Sequence, residues 1–264
     1  MLELQSISKT FHPGTIHAKK ALQNLSLSLN DGDFVTVIGG NGAGKSTLLN
    51  AIAGVWPVDE GSILIDGVDV TGLPEYKRAA FIGRVFQDPM LGTAPNMQIE
   101  ENLALALRRG KKRTLRWGVT KQEREDYYER LHALGLGLEK RMTDKVGLLS
   151  GGQRQALTLL MAALQQPKLL LLDEHTAALD PRTAAKVLDL SDRIVQEHGL
   201  TTLMITHNMK DAIAHGNRLI MMDAGQVVVD VSGEEKKKLT VPDLLAMFSR
   251  ASGSDEANDK MLLS

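Results

Sequence analysis

The feature that most constrains the fold is a short β-branched run that ends in a glycine-rich turn and then becomes helix-forming. Phe34–Ile38 predicts a buried strand, and the eight residues after it, 39–46, fit the pattern G-x-x-x-x-G-K-[ST]. Residues 46–53 are helix-forming, and Gly54 is expected to end that helix. A strand, a glycine-rich turn and a helix in this order favour an α/β fold that binds ligands at the carboxyl edge of a sheet.

The turn has the composition that phosphate binding requires. Glycines let successive backbone N–H groups point at phosphate oxygens, and the following helix adds its positive N-terminal end. Lys45 would bring a positive charge to the β- and γ-phosphates, and the Ser46 hydroxyl could ligate Mg²⁺. The turn therefore predicts a nucleoside triphosphate site made of Gly39, Gly40, Asn41, Gly42, Ala43, Gly44, Lys45, Ser46 and Thr47.

A second candidate element is an acidic pair that follows an apolar strand later in the chain. Residues 168–174 read Lys-Leu-Leu-Leu-Leu-Asp-Glu, so four leucines predict a fully buried strand with carboxylates at its end. Asp173 would hold Mg²⁺, and Glu174 would orient or deprotonate a water that attacks the terminal phosphate. The alternative is that this pair merely caps a helix.

The rest of the chain extends the α/β prediction. Residues 1–30 and 62–69 alternate apolar and polar side chains, as half-buried strands do, and strand-like runs disappear between about 96 and 148. Helix and strand then alternate, which indicates a parallel sheet covered on both faces. The later segments are predicted as a helix at 151–165, a strand at 168–172, a helix at 182–198 and a strand at 201–206.

Composition excludes several classes of protein. The chain has 264 residues, 31 Lys and Arg against 32 Asp and Glu, and a net charge of −1, which argues against a general nucleic-acid binder. The absence of cysteine excludes disulfides and thiolate metal sites. The amino-terminal residues lack the pattern of a signal peptide, and the most apolar runs are shorter than the ~20 residues that span a bilayer. We therefore expect that the chain does not cross a membrane by itself.

A third motif identifies a family resemblance. Leu149, Ser150, Gly151, Gly152 and Gln153 stand about 20 residues before Asp173. With this motif in this order, the chain closely resembles the ATP-binding-cassette (ABC) ATPases from about residue 2 to residue 229. Ser150 should cap a helix, where the glycines expose N–H groups. The resemblance implies that residues 150–153 close on ATP held by a second copy, in a head-to-tail dimer.

The resemblance assigns roles to four further residues. Gln87 matches the glutamine that contacts Mg²⁺ and the reactive water, and His207 matches the histidine that contacts the γ-phosphate and Glu174. Asp180 matches the loop that couples the two half-sites, although it could simply cap the helix that begins at Pro181. Phe11 occupies the place of the aromatic residue that stacks on adenine, with an ordinary core phenylalanine as the alternative.

Two features depart from the family pattern or fall outside it. His175 stands where most members have proline; it could tune or orient the catalytic loop, or simply face solvent. The basic run at 108–116 could meet lipid headgroups or a permease loop, although a solvated surface is the simpler interpretation.

The resemblance implies a P-loop NTPase (ABC ATPase) core with an antiparallel β subdomain and an inserted helical subdomain at about 90–148. These would form one domain at 1–240, followed by a short tail at 241–264. The implied function is ATP hydrolysis that powers a multi-subunit membrane transporter, an importer of a small solute such as an amino acid. Its partners would be a second ATPase subunit, transmembrane permease subunits and an extracytoplasmic substrate-binding protein, with no nucleic acid, at the cytoplasmic face of the membrane. The alternative is a soluble ABC ATPase that acts on ribosomes or DNA.

Overall fold

A computed structural model describes residues 1–111 and 118–252 of the chain. The strands are β1 (Leu2–Phe11), β2 (Lys19–Leu29), β3 (Phe34–Ile38), β4 (Glu60–Ile65), β5 (Val68–Asp69), β6 (Ile82–Val85), β7 (Leu169–Asp173), β8 (Thr201–Ile205), β9 (Arg218–Asp223) and β10 (Gln226–Ser232). The α-helices are α1 (Lys45–Ala53), α2 (Glu75–Arg78), α3 (Ile99–Leu107), α4 (Lys121–Ala133), α5 (Gly151–Ala163), α6 (Pro181–His198), α7 (Met209–Ala214), α8 (Gly233–Lys238) and α9 (Val241–Ser252).

The strands form two sheets. The alternating segments near the amino terminus make a four-stranded antiparallel sheet in the order β2-β1-β4-β5. The second sheet has the order β10-β9-β3-β8-β7-β6, and its pairs are parallel except for the edge pair of β9 and β10. The predicted antiparallel subdomain and parallel core are therefore both confirmed.

The larger sheet is covered on both faces, as continuous apolar strands require. Along β7, Leu169 and Leu171 pack with α1 and the antiparallel sheet, whereas Leu170 and Leu172 pack with α5, α6 and the helical segment. All four leucines are fully buried. Because alternate leucines of β7 pack into the two apolar clusters, this strand joins the phosphate-loop side of the molecule to the helical side.

In the described residues between β6 and β7, helices replace strands, as predicted. The helices α3, α4 and α5 each begin with a capping box, at Gln98, Thr120 and Ser150 respectively. Buried side chains of α3 and α4, such as Leu103 and Leu131, belong to the same apolar cluster as the buried side chains of α5. Such boxes satisfy N–H groups at helix starts and fix where each helix begins.

The carboxyl-terminal helix packs on the far edge of the larger sheet. Leu244 and Phe248 of α9 are buried against β9, β10 and α7. The polar end of the predicted tail, from residue 253 onward, lies outside the described residues. Across the described ranges, none of the helices combines the length and the apolar character that crossing a bilayer requires.

Candidate nucleotide site

The candidate residues meet at the carboxyl edge of the larger sheet. In the strand register, Ile205 of β8 pairs with Val37 on one side and with Asp173 on the other. The loops that follow β3, β7 and β8 therefore start side by side. They border a cavity of about 200 Å³ that is lined by Phe11, Lys19, Ala21, Asn41, Gly42, Ala43, Gly44, Lys45, Ser46, Thr47, Glu174 and His207.

The glycine-rich turn has a backbone that other residues could not adopt without strain. Gly44, the N-cap of α1, has φ 102°, and a Cβ atom there would lie 2.6 Å from the carbonyl oxygen of Ala21. At Gly39 a Cβ would lie 2.3 Å from the carbonyl oxygen of Met222. The α1 N-terminus has no side-chain cap and no acidic residue in its first turn. Its N–H groups are thus left for an external anion, which fits a bound phosphate chain.

Lys45 is enclosed by this turn. The residue is 5% exposed, and its Nζ donates to the carbonyl oxygens of Gly39 at 2.6 Å and Gly40 at 3.2 Å. Burial lowers the pKa of Lys45 below its ordinary value, and the negative charge of Glu174 partly opposes that shift. The carbonyl oxygens hold the Lys45 ammonium group beside the cavity, where an anion could meet it.

Glu174 and His207 form a pair that also lines the cavity. The Nε2 atom of His207 lies 2.5 Å from Oε1 of Glu174, and the glutamate side chain is 12% exposed. The Nδ1 atom of His207 is buried and has no hydrogen-bond partner among the described residues. The pair has the geometry of a carboxylate base and an orienting imidazole, both of which reach the phosphate-loop cavity.

The predicted Mg²⁺ ligands are only partly brought together. Ser46 lines the cavity, whereas Gln87 is exposed and Asp173 forms an ion pair with Arg84, 3.1 Å from its Nη2 to Asp173 Oδ2. A hydroxyl, an amide and a carboxylate are hard oxygen ligands, which fit Mg²⁺ that also binds phosphates. In the described ranges, no group of three or more His, Asp or Glu side chains could hold a metal by itself. The helix-capping alternative for Asp173 and Glu174 is wrong, because Asp180 caps α6.

Phe11 stands at the cavity wall. It is half-buried, lies outside the apolar clusters, and meets Trp56 edge to face at a centroid distance of 5.0 Å. Lys19 also lines the cavity, and sequence reasoning missed it, as it missed Arg84 beside Asp173. Both were missed because a single basic residue on a strand carries no local signal for what lies across the fold.

Residues 150–153 lie apart from this cavity, and none of them lines it. Ser150 is the exposed N-cap of α5; its Oγ accepts the N–H of Gln153 at 3.3 Å, and Gln153 Oε1 accepts the N–H of Ser150 at 3.2 Å. The predicted cap is confirmed. Asp180 likewise caps α6 by accepting the N–H of Thr183 at 3.1 Å.

The structure decides between the interpretations of His175. This residue is only 2% exposed, and its Nε2 lies 2.9 Å from Oγ of Ser191 on α6. Burial lowers the pKa of His175 to about 4, and His215 adds a smaller effect in the same direction. The interpretation of His175 as a solvent-facing loop residue is therefore wrong.

The predicted basic run lies largely outside the described residues, which stop at 111 and resume at 118. The two described arginines of the run are half-buried rather than freely solvated. Arg108 pairs with Glu123 at 2.8 Å, and burial lowers the pKa of Arg109.

Comparison with known proteins gives consistent matches. The ABC transporter family profile matches residues 22–177. A tyrosine transport ATP-binding protein of Clostridioides difficile is 47% identical over 251 residues, covering 95% of this chain and all of the relative. A phosphonates import ATP-binding protein of Lactobacillus acidophilus is 32% identical, covering 92% of this chain and 94% of the relative. A spermidine/putrescine import ATP-binding protein of Haemophilus influenzae is 35% identical, and the match covers 89% of this chain but 59% of that relative.

Solved structures agree with this assignment. A dimeric ATP-binding cassette in a post-hydrolysis state, bound to ADP and Pi, has a TM-score of 0.74 at 31% identity, covering 88% of this chain and 98% of that chain. The ADP conformation of an ATP-binding cassette of an ABC transporter has a TM-score of 0.77 at 29% identity, covering 94% of this chain and 98% of that chain. By sequence and fold, the chain belongs to the ABC transporter family, as one of its ATP-binding and ATP-hydrolysing cassettes.

Proposed function

We propose that this chain is the ATPase subunit of a membrane importer for a small solute, with an amino acid as the best-supported substrate class. The observation that carries the enzymatic part is the Glu174–His207 pair, 2.5 Å apart at the wall of the phosphate-loop cavity. The import direction is supported by relatives whose names specify import of phosphonates and of spermidine or putrescine. The amino-acid class is supported by the tyrosine transport relative, which matches over its full length.

The hydrolytic step follows from the groups around the cavity. Glu174 accepts a proton from the water that attacks the γ-phosphate, and ADP leaves as the bond to its β-phosphate oxygen breaks. His207 orients the Glu174 carboxylate and meets the γ-phosphate, while Lys45 and the N–H groups of the turn stabilise the negative charge of the phosphates. Ser46, Gln87 and Asp173 are the proposed ligands of Mg²⁺, which when bound supplies further charge neutralisation.

The assembly is proposed to be a head-to-tail dimer. Residues 150–153 lie outside the cavity of their own chain, which supports an approach of the exposed α5 N-terminus to ATP on a second subunit. Asp180 would couple the two half-sites from the loop before α6. Phe11 would stack on adenine at the mouth of the cavity, since it lies at the cavity wall rather than in the core.

The permease is proposed to dock on the segment just after Gln87. Leu91 is 70% exposed there, and Leu105 of α3 is 50% exposed. Exposed apolar side chains in one part of a surface are typical of protein interfaces. The proposal keeps a single domain of residues 1–240 with a helical subdomain at about 90–148. In it, the permease would dock beside Gln87, the residue proposed to contact the reactive water. The subunit would then sit at the cytoplasmic face of the membrane, and an extracytoplasmic binding protein would deliver the solute.

Substitution of the base tests the enzymatic assignment. Glu174→Gln should retain ATP binding, trap the dimer and reduce phosphate release to background, because the amide cannot accept the proton. Phosphate release, nucleotide binding and light scattering measure the three effects. The matched control is Glu197→Gln at an exposed position of α6, which should behave as wild type. Near-normal turnover in Glu174→Gln would show that another group is the base.

Recovery from cells tests the transporter assignment. The chain should copurify from detergent-solubilised membranes with an integral permease, and Leu91→Arg should reduce that recovery without changing the ATPase activity of the isolated chain. Tyr76→Arg, which alters an exposed aromatic residue of α2, is the control. Recovery with ribosomes and no permease would contradict the transport function.

A further inference from the structure

The backbone at Glu174 requires support from its surroundings. This residue has φ 46°, in the left-handed region that residues other than glycine rarely adopt. Its N–H donates to the carbonyl oxygen of Ile205, and its carbonyl oxygen accepts the N–H of Ala177, both at 3.0 Å. An unfavourable backbone conformation at a site persists only where neighbouring contacts enforce it.

The side chain that follows Glu174 provides one such contact. His175 Nε2 lies 2.9 Å from the Oγ of Ser191, and both residues are buried. The Ser191 hydroxyl already donates its only proton to the carbonyl oxygen of Val187 at 2.8 Å. His175 must therefore donate through Nε2–H, so this bond anchors the loop of Glu174 to the middle of α6.

The neighbouring residue of α6 holds a second histidine. Asp192 Oδ2 accepts from Nδ1 of His215 at 2.7 Å. His215 directly follows α7, whose N-cap Asn208 is adjacent to His207. The buried Lys236 of α8 donates to the carbonyl oxygens of His215 and Gly216, which fixes that end of the connection as well. Thus α6 is bonded to the segment that carries His207 and to the loop that carries Glu174.

Glu174 and His207 border a second cavity, of about 380 Å³, which is also lined by Asp189 of α6, Asp211 and His215. On this side the two side chains face open space and are not held by close packing. Where side chains face open space instead of packed neighbours, hydrogen bonds at the ends of their segments decide their position.

We propose that Ser191 and Asp192 of α6 form a brace that fixes the Glu174–His207 pair through two positioning residues, His175 and His215. The inference rests on the proposed assignment of Glu174 as the base and His207 as its partner. The brace acts on the position of the reacting groups and leaves nucleotide binding to the phosphate loop. The brace has two arms: the His175–Ser191 bond and the His215–Asp192 bond. A displacement of about 1 Å at a reacting group can cost about 100-fold in rate, so loss of one of these bonds should lower kcat and leave KM unchanged.

Four variants of the His175 arm test the brace: His175→Leu, His175→Gln, Ser191→Ala and the double variant His175→Leu/Ser191→Ala. His175→Leu and Ser191→Ala should each lower kcat about tenfold, with the KM for ATP within twofold of wild type. His175→Gln, which still offers an amide N–H at similar reach, should recover most of the rate. The double variant should be no slower than the slower single variant, because both changes remove one bond.

A spectroscopic measurement on the nucleotide-free protein separates positioning from general structural damage. In the wild type, the ¹⁵N imidazole signals should show His175 as the neutral Nε2–H tautomer. His175→Leu and Ser191→Ala should shift the imidazole signals of His207, which neither change touches directly. His198→Leu, at an exposed position near the end of α6, should shift neither signal and should leave kcat unchanged.

The outcomes separate the brace from the proposed function. The brace is overturned if Ser191→Ala keeps kcat within twofold of wild type, or if His175→Gln is as slow as His175→Leu. Ser191→Ala removes one atom and keeps the shape of the side chain, so it tests the brace even if His175→Leu does not fold. Continued turnover in Glu174→Gln would instead overturn the base assignment, whatever the His175 variants do.

Discussion

Two helix starts in this molecule carry glycines and a small hydroxyl residue, yet they are built differently. The helix α1 begins after Gly44, with no side-chain cap and no acidic residue in its first turn. The helix α5 begins after Ser150, which caps it reciprocally with Gln153. Gly44 is buried beside the cavity, whereas Ser150 and Gly151 are exposed and lie outside it.

The difference indicates how the two starts divide the binding of one nucleotide. An uncapped N-terminus has N–H groups that need an external acceptor, so α1 is prepared to bind phosphate within its own chain. A capped N-terminus is already satisfied, so α5 can remain exposed to water until a partner arrives. We therefore expect changes at α1 to affect nucleotide binding itself, and changes at α5 to affect only the closed dimer.

The largest effect is expected at Lys45. Lys45→Met should reduce kcat/KM for ATP by about 1,000-fold and weaken nucleotide binding, because it removes the buried charge that faces the phosphates. Calorimetric titration with ADP and a phosphate-release assay measure the two effects. Lys186→Met, at an exposed lysine of α6, is the control. Unchanged ADP affinity in Lys45→Met would mean that the N–H groups of α1 bind the nucleotide without help from this charge.

A smaller effect, confined to turnover, is expected at the other helix start. Ser150→Phe should lower ATPase activity by about 100-fold, because a bulky ring blocks approach to the nucleotide of a partner subunit. The affinity of the monomer for ADP should not change. Thr120→Phe is the matched control, because Thr120 caps α4 with the same reciprocal bonds to Glu123. Weaker ADP binding in Ser150→Phe alone would contradict the proposed division between α1 and α5.

Sequence reasoning was most successful where structure depends on neighbours in the chain. The segment from β3 through the glycine-rich turn to α1 was predicted to within one residue, because strand pattern, glycines and helix formers are local signals. The cap at Ser150 was predicted for the same reason. The family resemblance supplied the site residues whose spacing has no local meaning, such as Gln87 and His207.

Contacts between distant parts of the chain were not predicted. Arg84 meets Asp173 across 89 residues, and His175 meets Ser191 across 16 residues, so each bond exists only after the sheet and helices have packed. The burial of His175 illustrates the limit, because its neighbours in sequence allow either a buried or a solvent-facing side chain. The position of Lys19 at the cavity wall could not be predicted for the same reason.

The glycines of the two helix starts provide the next test. Gly44→Ala should lower the free energy of unfolding by about 2 kcal/mol, since φ is 102° and the new Cβ would lie 2.6 Å from the carbonyl oxygen of Ala21. Gly151→Ala should change it by less than about 0.5 kcal/mol, because among the described residues the new Cβ would meet just Leu179 Cδ2, at 3.3 Å. Chemical denaturation of both variants measures the difference. Equal losses would show that the two turns constrain their glycines alike.

The smallest effect concerns the cap of α5, and it separates the stability of this helix from its function. Ser150→Ala should lower the free energy of unfolding by about 1 kcal/mol, as should Thr120→Ala at the equivalent cap of α4. Ser150→Asp should retain that stability, because a carboxylate also caps a helix, yet it should still lower turnover by repelling the phosphates of the partner's nucleotide. Denaturant unfolding and phosphate release, measured on the same preparations, distinguish the two roles. If Ser150→Asp hydrolysed ATP as fast as wild type, α5 would not approach the nucleotide in the dimer, and its cap would serve folding alone.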